Sequence, residues 1–335
     1  MSSGKARAGQ TEARTVLVVG DATPTRVGAI LTLLRPSVLG GARLNILAAS
    51  SSDDAPMLVL RLQDLGTETS TTSLEATDPL AGVGLTDAFG LLRRAFRLGE
   101  SDQHRFAAWA ALAADAYSVD PARFPPLSTR RITELAGDTG EAADATAAVE
   151  EHVGPQGNRY QAGSLTFRSA ALLNQLRDVG GEPETLPDEG ARLVTVALQP
   201  ATDPVVRLRI ASALHGCRQA DATVIYDIDR WPADLLLEHV TKSRGLLILA
   251  TTRLDRFGGT EGYELGQLAA ACGTLIVTRL GTGTDVRAAA ALLSSRTGEV
   301  VPSREIADLG GARALVVTPR SRKVVRQKVT RSGLA

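Results

Sequence analysis

The stretch that decides the fold is Thr15–Leu34, which reads TVLVVGDATPTRVGAILTLL. Its first five residues are mostly β-branched and lead into Gly20, a pattern typical of a buried parallel strand. Between Val27 and Leu34 the apolar residues recur at helical spacing. The stretch therefore predicts a strand, a short turn and a helix, which is the repeating unit of an α/β fold.

The second half of the chain alternates strands and helices in the same way. Four strands are predicted at Leu193–Leu198, Thr223–Tyr226, Leu246–Ala250 and Leu275–Thr278, with helices between them. Because parallel neighbours need a crossover connection, this order predicts an α/β fold with a doubly wound, mostly parallel sheet. A final strand at Ala314–Thr318 is predicted at a sheet edge.

The middle of the chain has a different character. Two further strands are predicted at Arg43–Ala48 and Met57–Leu62, and the Ser/Thr-rich residues 67–77 predict a loop. From Leu85 the apolar residues recur on one helical face, which predicts an all-helical insertion. The predicted organisation is a disordered leader at 1–14, the first part of the sheet domain at 15–82, the insertion at 83–188, and the second part with a basic tail at 189–335.

Charge is balanced in total and uneven along the chain. The 335 residues include 37 basic and 37 acidic side chains, so the net charge argues for no particular partner. Residues 132–151 carry six acids and no Lys or Arg, whereas every charged residue after Asp308 is basic. Such a basic tail either binds nucleic-acid phosphates or is a solvated end, and both interpretations stay open. Its candidate DNA-binding residues are Arg320, Arg322, Lys323, Arg326, Lys328 and Arg331.

The remaining composition predicts a cytoplasmic protein without a metal site. No apolar run approaches the ~20 residues that cross a bilayer, and no signal peptide opens the chain. Cys217 and Cys272 lie in apolar surroundings without metal-ligand spacing, which predicts two buried, reduced thiols. The four His residues are scattered along the chain, so no metal site or His-based catalytic pair is predicted.

The turn after the first strand occupies the place of a phosphate-binding P-loop. A working P-loop has the pattern G-x-x-x-x-G-K-[ST], in which the backbone amides and Lys bind phosphates and the hydroxyl binds Mg²⁺. In this chain Gly20 is kept, and Thr25, Arg26 and Val27 stand at the second Gly, the Lys and the hydroxyl position. We interpret Gly20, Thr23, Thr25, Arg26 and Val27 as a degenerate nucleotide position, the alternative being an ordinary strand-to-helix turn.

A carboxylate follows the Thr223–Tyr226 strand, where a Walker B strand carries the Asp that holds the Mg²⁺ water shell. Asp227 fits that place, and Ile228 stands where a Glu would polarise the attacking water. Continued strand alternation would put Asp229 on the same face as Asp227, which leaves a shifted acid pair as a hypothesis. Arg244, just before the next strand, is either an arginine finger acting on a neighbouring subunit or a solvent-exposed side chain.

The order of these pieces resembles the motor segment of TraG/TraD-type conjugative coupling proteins. The resemblance is carried by the acids Asp227 and Asp229, the T-x-x-R-G turn Thr241–Gly245 and the L-S-x-x-x-G helix end Leu293–Gly298. Upstream it is looser, at Thr77–Leu80 and in the Trp- and Ala-rich residues 106–117. Thr251-Thr252 stands in place of the family's Gln-Ser.

The resemblance implies a RecA-like P-loop NTPase fold that serves conjugative DNA transfer or type IV secretion. It implies ATP and Mg²⁺ as ligands, DNA and secretion components as partners, hexamers, and recruitment to a membrane complex. The family's usual membrane anchor is not expected in this chain. Because Val27 and Ile228 lack the needed chemistry, we expect degenerate or absent ATP hydrolysis, with Asp227, Asp229 and Arg244 as the candidate catalytic residues. The alternatives are an active DNA translocase with a shifted site, a scaffold that does not bind DNA, and an enzyme with a small-molecule site.

Overall fold

A computed structural model describes residues 15–21, 23–80, 83, 85–97, 190–198, 202–254, 263–310, 312–319, 323–330 and 333–334. The chain divides into two compact units. The first is built from residues up to Ser70, Asp188–Leu193 and Cys217–Ala335, and the second from Thr71–Pro187 and Val194–Gly216.

Ten strands and eight α-helices lie in the described residues. The strands are β1 Thr15–Val19, β2 Leu44–Ala49, β3 Thr69–Ser73, β4 Ala191–Val196, β5 Ala222–Ile225, β6 Leu246–Thr251, β7 Thr274–Val277, β8 Arg313–Val317, β9 Val325–Thr330 and β10 Gly333–Leu334. The helices are α1 Thr23–Leu39, α2 Asp54–Asp64, α3 Leu85–Phe96, α4 Pro204–Gly216, α5 Ala233–Lys242, α6 Tyr263–Ala271, α7 Gly283–Thr297 and α8 Ser303–Ala307.

The sheet of the first unit has a parallel centre. Its strands lie in the order β10, β9, β8, β7, β1, β6, β5, β2. The first residues of β4 and then of β3, which belong to this unit, continue the order after β2. Strands β7, β1, β6, β5 and β2 run parallel, and helices connect them as the sequence predicts. The prediction of a doubly wound, mostly parallel α/β sheet is confirmed.

Three sequence predictions about this sheet are wrong. Residues 57–62 belong to helix α2, where Leu58, Val59 and Leu62 are buried and Leu60 is exposed, because a short apolar run fits either period. The Ser/Thr-rich stretch contains strand β3, since β-branched Thr residues suit a strand even in a polar run. Strand β8 is not an edge, because antiparallel β7 and β9 flank it.

The second unit is described through two packed helices. Arg207 of α4, only 1% exposed, donates from Nε to the carbonyl of Ala95 at 3.2 Å and from Nη2 to that of Arg94 at 3.1 Å. These acceptors lie in the last turn of α3, where helix carbonyls lack partners within the helix. The rest of the predicted insertion at 83–188 lies outside the described residues and stays a prediction.

The core of the first unit is made by the parallel strands and α1 and α2. The strands are nearly all apolar because helices cover both faces of a parallel sheet. Both cysteines are buried, and burial raises the pKa of Cys217 and of Cys272 to about 12, so both thiols stay protonated. Among the described residues, no helix combines the length and hydropathy needed to cross a membrane.

Candidate functional site

Strand register brings the two predicted motifs to one edge of the sheet. Val19 at the end of β1 lies beside Thr251 of β6, and Ile225 of β5 lies beside Leu249. Asp227, two residues past Ile225, is therefore level with Thr251 and Val19. The chain leaves β1 towards β2 and leaves β6 towards β7, in opposite directions, which is the arrangement that opens a crevice at the carboxyl ends of the strands.

The turn after β1 is short, and its first two backbone N–H groups donate hydrogen bonds to carbonyls of the protein. The Gly20 N–H donates to the carbonyl of Thr251 at 3.1 Å, and the Asp21 N–H donates to that of Arg279 at 3.0 Å. A Cβ on Gly20 would lie 1.7 Å from Oγ1 of Thr278, so only glycine fits. Three residues separate β1 from α1, and Pro24 in the first turn has no N–H. The backbone donors of a phosphate cradle are thus reduced.

Arg26, at the position of the P-loop Lys, is folded into the protein. Its side chain is 3% exposed, and its Nε and Nη2 contact Oδ2 of Asp54, whose side chain is 5% exposed. A third nitrogen, Nη1, donates to the carbonyl of Gly20. Asp54 is the first residue of α2, where the helix dipole also favours a carboxylate. The guanidinium therefore ties the turn after β1 to the start of α2.

The two positions on either side of Arg26 are also buried. Val27 is 2% exposed and belongs to the main hydrophobic cluster of the sheet and helices. Thr25 is 5% exposed, and Thr23 at the start of α1 is partly exposed. An alkyl side chain in the core supplies no oxygen to Mg²⁺. With Arg26 paired and Val27 in the core, the residues present do not fit a Mg²⁺-nucleotide bound as in a P-loop.

Asp227 lies in a left-handed backbone conformation with φ of 55°. Its Oδ2 is buried and has no hydrogen-bond partner in the described part of the chain. Burial raises the pKa of Asp227, and the charges of Asp229 and Asp54 act in the same direction, opposed by the nearby Ser52 hydroxyl and the charge of Arg26. Ionisation of Asp227 is therefore less favourable than that of an Asp in water.

The two residues beside Asp227 are buried. Ile228 is 0% exposed and begins a 3-10 turn at residues 228–230. The alternation of side chains along the strand therefore ends before Ile228. The prediction that Asp227 and Asp229 share one face of a strand is wrong. Tyr226 is 1% exposed, and its hydroxyl has no hydrogen-bond partner in the described residues. Burial and the charge of Asp54 raise the pKa of Tyr226 well above its usual value.

Asp229 is tied to the end of the neighbouring strand. Its Oδ1 accepts a hydrogen bond from Oγ1 of Thr251 at 2.8 Å. The Arg253 N–H donates to that same hydroxyl at 3.1 Å, which shapes the loop after β6. Asp285 of α7, 2% exposed, fixes the next residue of that loop by accepting the Leu254 N–H at 2.7 Å. Thr251 stands where coupling proteins have the Gln of their Gln-Ser pair. Its hydroxyl joins Asp229 to the loop after β6 by hydrogen bonds.

Two groups of predicted site residues lie elsewhere. Arg244 precedes the first residue of β6 and is therefore at the amino ends of the strands, about 20 Å of strand away from the edge that carries Asp227. Lys323, Arg326 and Lys328 are exposed on or next to β9, and Arg326 is 3.4 Å from Glu305. Arg320, Arg322 and Arg331 lie outside the described residues.

Sequence reasoning missed two residues of this cluster, Asp54 and Tyr226. The sequence does not indicate Asp54 as a site residue, because the apolar run at 57–62 that follows it fits a strand. A helix there would have placed Asp54 in a first turn, at the carboxyl end of β2 and near the site. The sequence predicts Tyr226 as the last residue of a strand, and nothing in the sequence indicates that its hydroxyl is buried near charged side chains. In the described residues, no group of three or more His, Cys, Asp or Glu is placed to hold a metal ion.

Comparison with known proteins gives matches among solved structures only; no family model and no curated sequence matches the chain. The unbound monoclinic form of the bacterial conjugative coupling protein TrwB has a TM-score of 0.60 and 14% identity, covering 97% of this chain and 86% of that chain. VirB4 of Thermoanaerobacter pseudethanolicus has a TM-score of 0.60 and 14% identity, covering 97% and 91%. TrwB in complex with ADP and Mg²⁺ has a TM-score of 0.55 and 13% identity, covering 97% and 87%.

These neighbours are RecA-like P-loop NTPases. The chain therefore has a TraG/TraD-type, coupling-protein-like fold, as its motifs predict. At 13–14% identity the likeness shows the fold alone, because strands and helices persist after the residues of a site have changed. What this chain does depends on the residues at the strand ends.

Proposed function

We propose that this chain is a non-hydrolysing, coupling-protein-like subunit that serves conjugative DNA transfer or type IV secretion. The fold supports the general class, and the chemistry of the strand ends supports the absence of turnover. The observation that carries the proposal is the buried contact of Arg26 with Asp54, because it gives the cation at the position of the P-loop Lys a carboxylate of the protein as its partner.

Three further features favour the same conclusion. Val27 is in the core in place of the Mg²⁺-binding hydroxyl, and Ile228 is in the core in place of the carboxylate that orients the attacking water. Asp227 keeps its carboxyl group, but burial and two neighbouring acids oppose its ionisation. In enzymes, loss of one such electrostatic contribution costs about 10²- to 10³-fold in rate, so the combined loss leaves little turnover.

A nucleic-acid contact is the second part of the proposal. Strand β9 carries the exposed Arg326 and Lys328, and the exposed Arg313 of β8 lies directly beside Lys328 in the antiparallel ladder. Cations on neighbouring strands repel each other unless an anion lies between them. The phosphates of DNA supply such an anion, and the basic residues on either side of β9 extend the charge along the chain.

ATP hydrolysis tests the first part. Phosphate release by the purified chain with Mg²⁺-ATP, with and without duplex DNA, is expected to equal that of Asp227→Asn, which keeps the size of the side chain and removes its charge. An active coupling-protein ATPase measured in parallel establishes that the assay works. Mg²⁺-dependent turnover that Asp227→Asn abolishes would overturn the proposal in favour of an active translocase with a shifted site.

A further inference from the structure

The hydroxyl of Tyr226 is buried near the Arg26–Asp54 pair and accepts or donates no hydrogen bond within the part of the chain that the structure describes. Burial raises the pKa of Tyr226, the charge of Asp54 raises it further, and the charge of Arg26 lowers it, so the three side chains lie close together. Buried hydroxyls nearly always have a hydrogen-bond partner in folded proteins. The unsatisfied hydroxyl therefore points to a ligand at this place.

A second buried hydroxyl approaches the same cluster. Oγ of Ser52 has no hydrogen-bond partner among the described residues, and it lies near enough to the Asp227 carboxylate to lower the pKa of that group. Ser52 belongs to the loop between β2 and α2, two residues before Asp54. The cluster around Arg26 thus contains one guanidinium and two hydroxyls as hydrogen-bond donors.

This set of donors suits a phosphate better than it suits a carboxylate. A guanidinium binds either anion through paired hydrogen bonds, and a hydroxyl can donate one more. Asp54 is fixed at the first residue of α2, where its Oδ2 contacts Nε and Nη2 of Arg26. That carboxylate leaves the hydroxyls of Tyr226 and Ser52 without an acceptor, whereas a tetrahedral phosphate has further oxygens to accept from them.

We propose that Arg26 and Tyr226 belong to a phosphate-binding site that Asp54 keeps closed, with the Asp54 carboxylate acting as an autoinhibitory anion. The closed site rests on the proposed function, in which Arg26 stands at the position of the P-loop Lys. Its ligand is a phosphate without Mg²⁺, because Val27 supplies no oxygen to a metal ion. Asp54 begins a helix, so a shift of the start of α2 opens the site in the same way as loss of the carboxylate.

Removal of the Asp54 charge should uncover phosphate binding. Asp54→Asn keeps the size of the side chain, and the full chain is titrated with pyrophosphate in the absence of Mg²⁺, with NaCl added to hold the ionic strength constant. Pyrophosphate should raise the Tm of this variant saturably, because a ligand that binds the folded state stabilises it. We expect an affinity at least about tenfold higher than that of the parent chain. Asp64→Asn, at an exposed acid of the same helix, is the matched control and should behave as the parent does.

Two double variants test which side chains bind the phosphate. Asp54→Asn/Arg26→Gln should lose the effect of pyrophosphate on Tm, because the guanidinium carries the positive charge of the site. Asp54→Asn/Tyr226→Phe, which lacks only the hydroxyl, should weaken the affinity by about tenfold. An unchanged response in the Arg26→Gln double variant would place the ligand elsewhere and overturn the proposal.

Asp54→Ala is titrated in parallel, because a ligand of the folded state also refolds a destabilised variant and so reports binding even when much of the chain is unfolded. No rise in Tm in either Asp54 variant would overturn the closed site. A parent chain that binds pyrophosphate as tightly as Asp54→Asn would overturn it too, since Asp54 would then exclude nothing. These results are separate from the proposed function, which fails only if the parent chain hydrolyses ATP.

Discussion

The guanidinium of Arg26 contacts the carboxylate of Asp54, and both side chains are almost completely buried, with 3% and 5% exposed. The contact joins the first residue of α2 to the first turn of α1. The Nη1 of Arg26 also donates a hydrogen bond to the backbone carbonyl of Gly20. Buried charges are costly unless they are paired and hydrogen-bonded, so this pair fixes the local structure. A phosphate in the same place would have to displace Asp54.

Removal of Asp54 should destabilise the fold strongly. Asp54→Ala leaves the Arg26 charge buried without its carboxylate, which costs about 3–5 kcal/mol in comparable pairs. Urea denaturation should show a matching fall in the free energy of unfolding.

Helix α2 supplies the control for that substitution. Asp64, at the other end of the same helix, lies 3.2 Å from Arg61, and both side chains are more than half exposed. Asp64→Ala should change the free energy of unfolding by only about 0–1 kcal/mol, because solvent screens an exposed pair. Equal decreases in the free energy of unfolding for Asp54→Ala and Asp64→Ala would show that the buried pair stabilises the fold no more than the exposed pair.

Asp227 should make stability depend on pH. Because burial raises the folded-state pKa above the usual value of 3.8, the folded chain binds more protons than the unfolded chain in the window between the two. The free energy of unfolding therefore falls as pH rises through that window. Asp227→Asn should raise stability at neutral pH and leave it unchanged below pH 3.8.

Asn suits this position because it tolerates the left-handed backbone better than most residues do. Denaturation curves at several pH values, compared with those of Asp64→Asn at an exposed site, measure the effect. A variant that is less stable than the parent at neutral pH would contradict it.

Gly20 should not tolerate any side chain. In Gly20→Ala the new methyl would overlap Oγ1 of the fully buried Thr278, so we expect a loss of about 1–3 kcal/mol. Adding Thr278→Ala should recover part of it. Gly266→Ala is the control, because open space surrounds that glycine inside α6 and alanine favours a helix by about 0.5–1 kcal/mol. Thermal unfolding distinguishes the two, and a neutral Gly20→Ala would refute the close packing.

Lys328→Glu should have opposite effects on binding and on stability. It converts the repulsion with Arg313 into an attraction across two strands, worth about 0.2–1 kcal/mol. If the strand contacts DNA, the same change should lower the affinity for a labelled duplex and reduce the salt dependence by about one charge. Arg61→Glu, an exposed cation on α2, should affect neither to the same degree. Unchanged DNA affinity in Lys328→Glu would exclude β9 from the contact.

The sequence predicts the parallel part of the fold well. Long, strongly apolar strands such as Leu246–Thr251 have few alternative structures, and the helices between them follow from the crossover rule. The errors lie where the local pattern is ambiguous. Residues 57–62 fit either period, and only the packing of Leu58 and Leu62 against the sheet decides for a helix.

The sequence predicts less of the site. Gly20, Arg26 and Asp227 follow from their places after strands, and register brings them to one edge. The partner of Arg26 could not be predicted, because Asp54 is 28 residues away and their contact depends on how two helices begin. The left-handed turn at Asp227 ends the strand alternation on which the shifted acid pair was based. Side-chain direction at a turn is decided by tertiary contacts that no local pattern contains.

Calorimetric titration of the purified chain with ATP, with and without Mg²⁺, tests most directly whether Asp54 has taken the place of a phosphate. We expect no saturable heat, which corresponds to a dissociation constant weaker than about 1 mM. Micromolar binding that requires Mg²⁺ and disappears in Asp227→Asn would contradict the account.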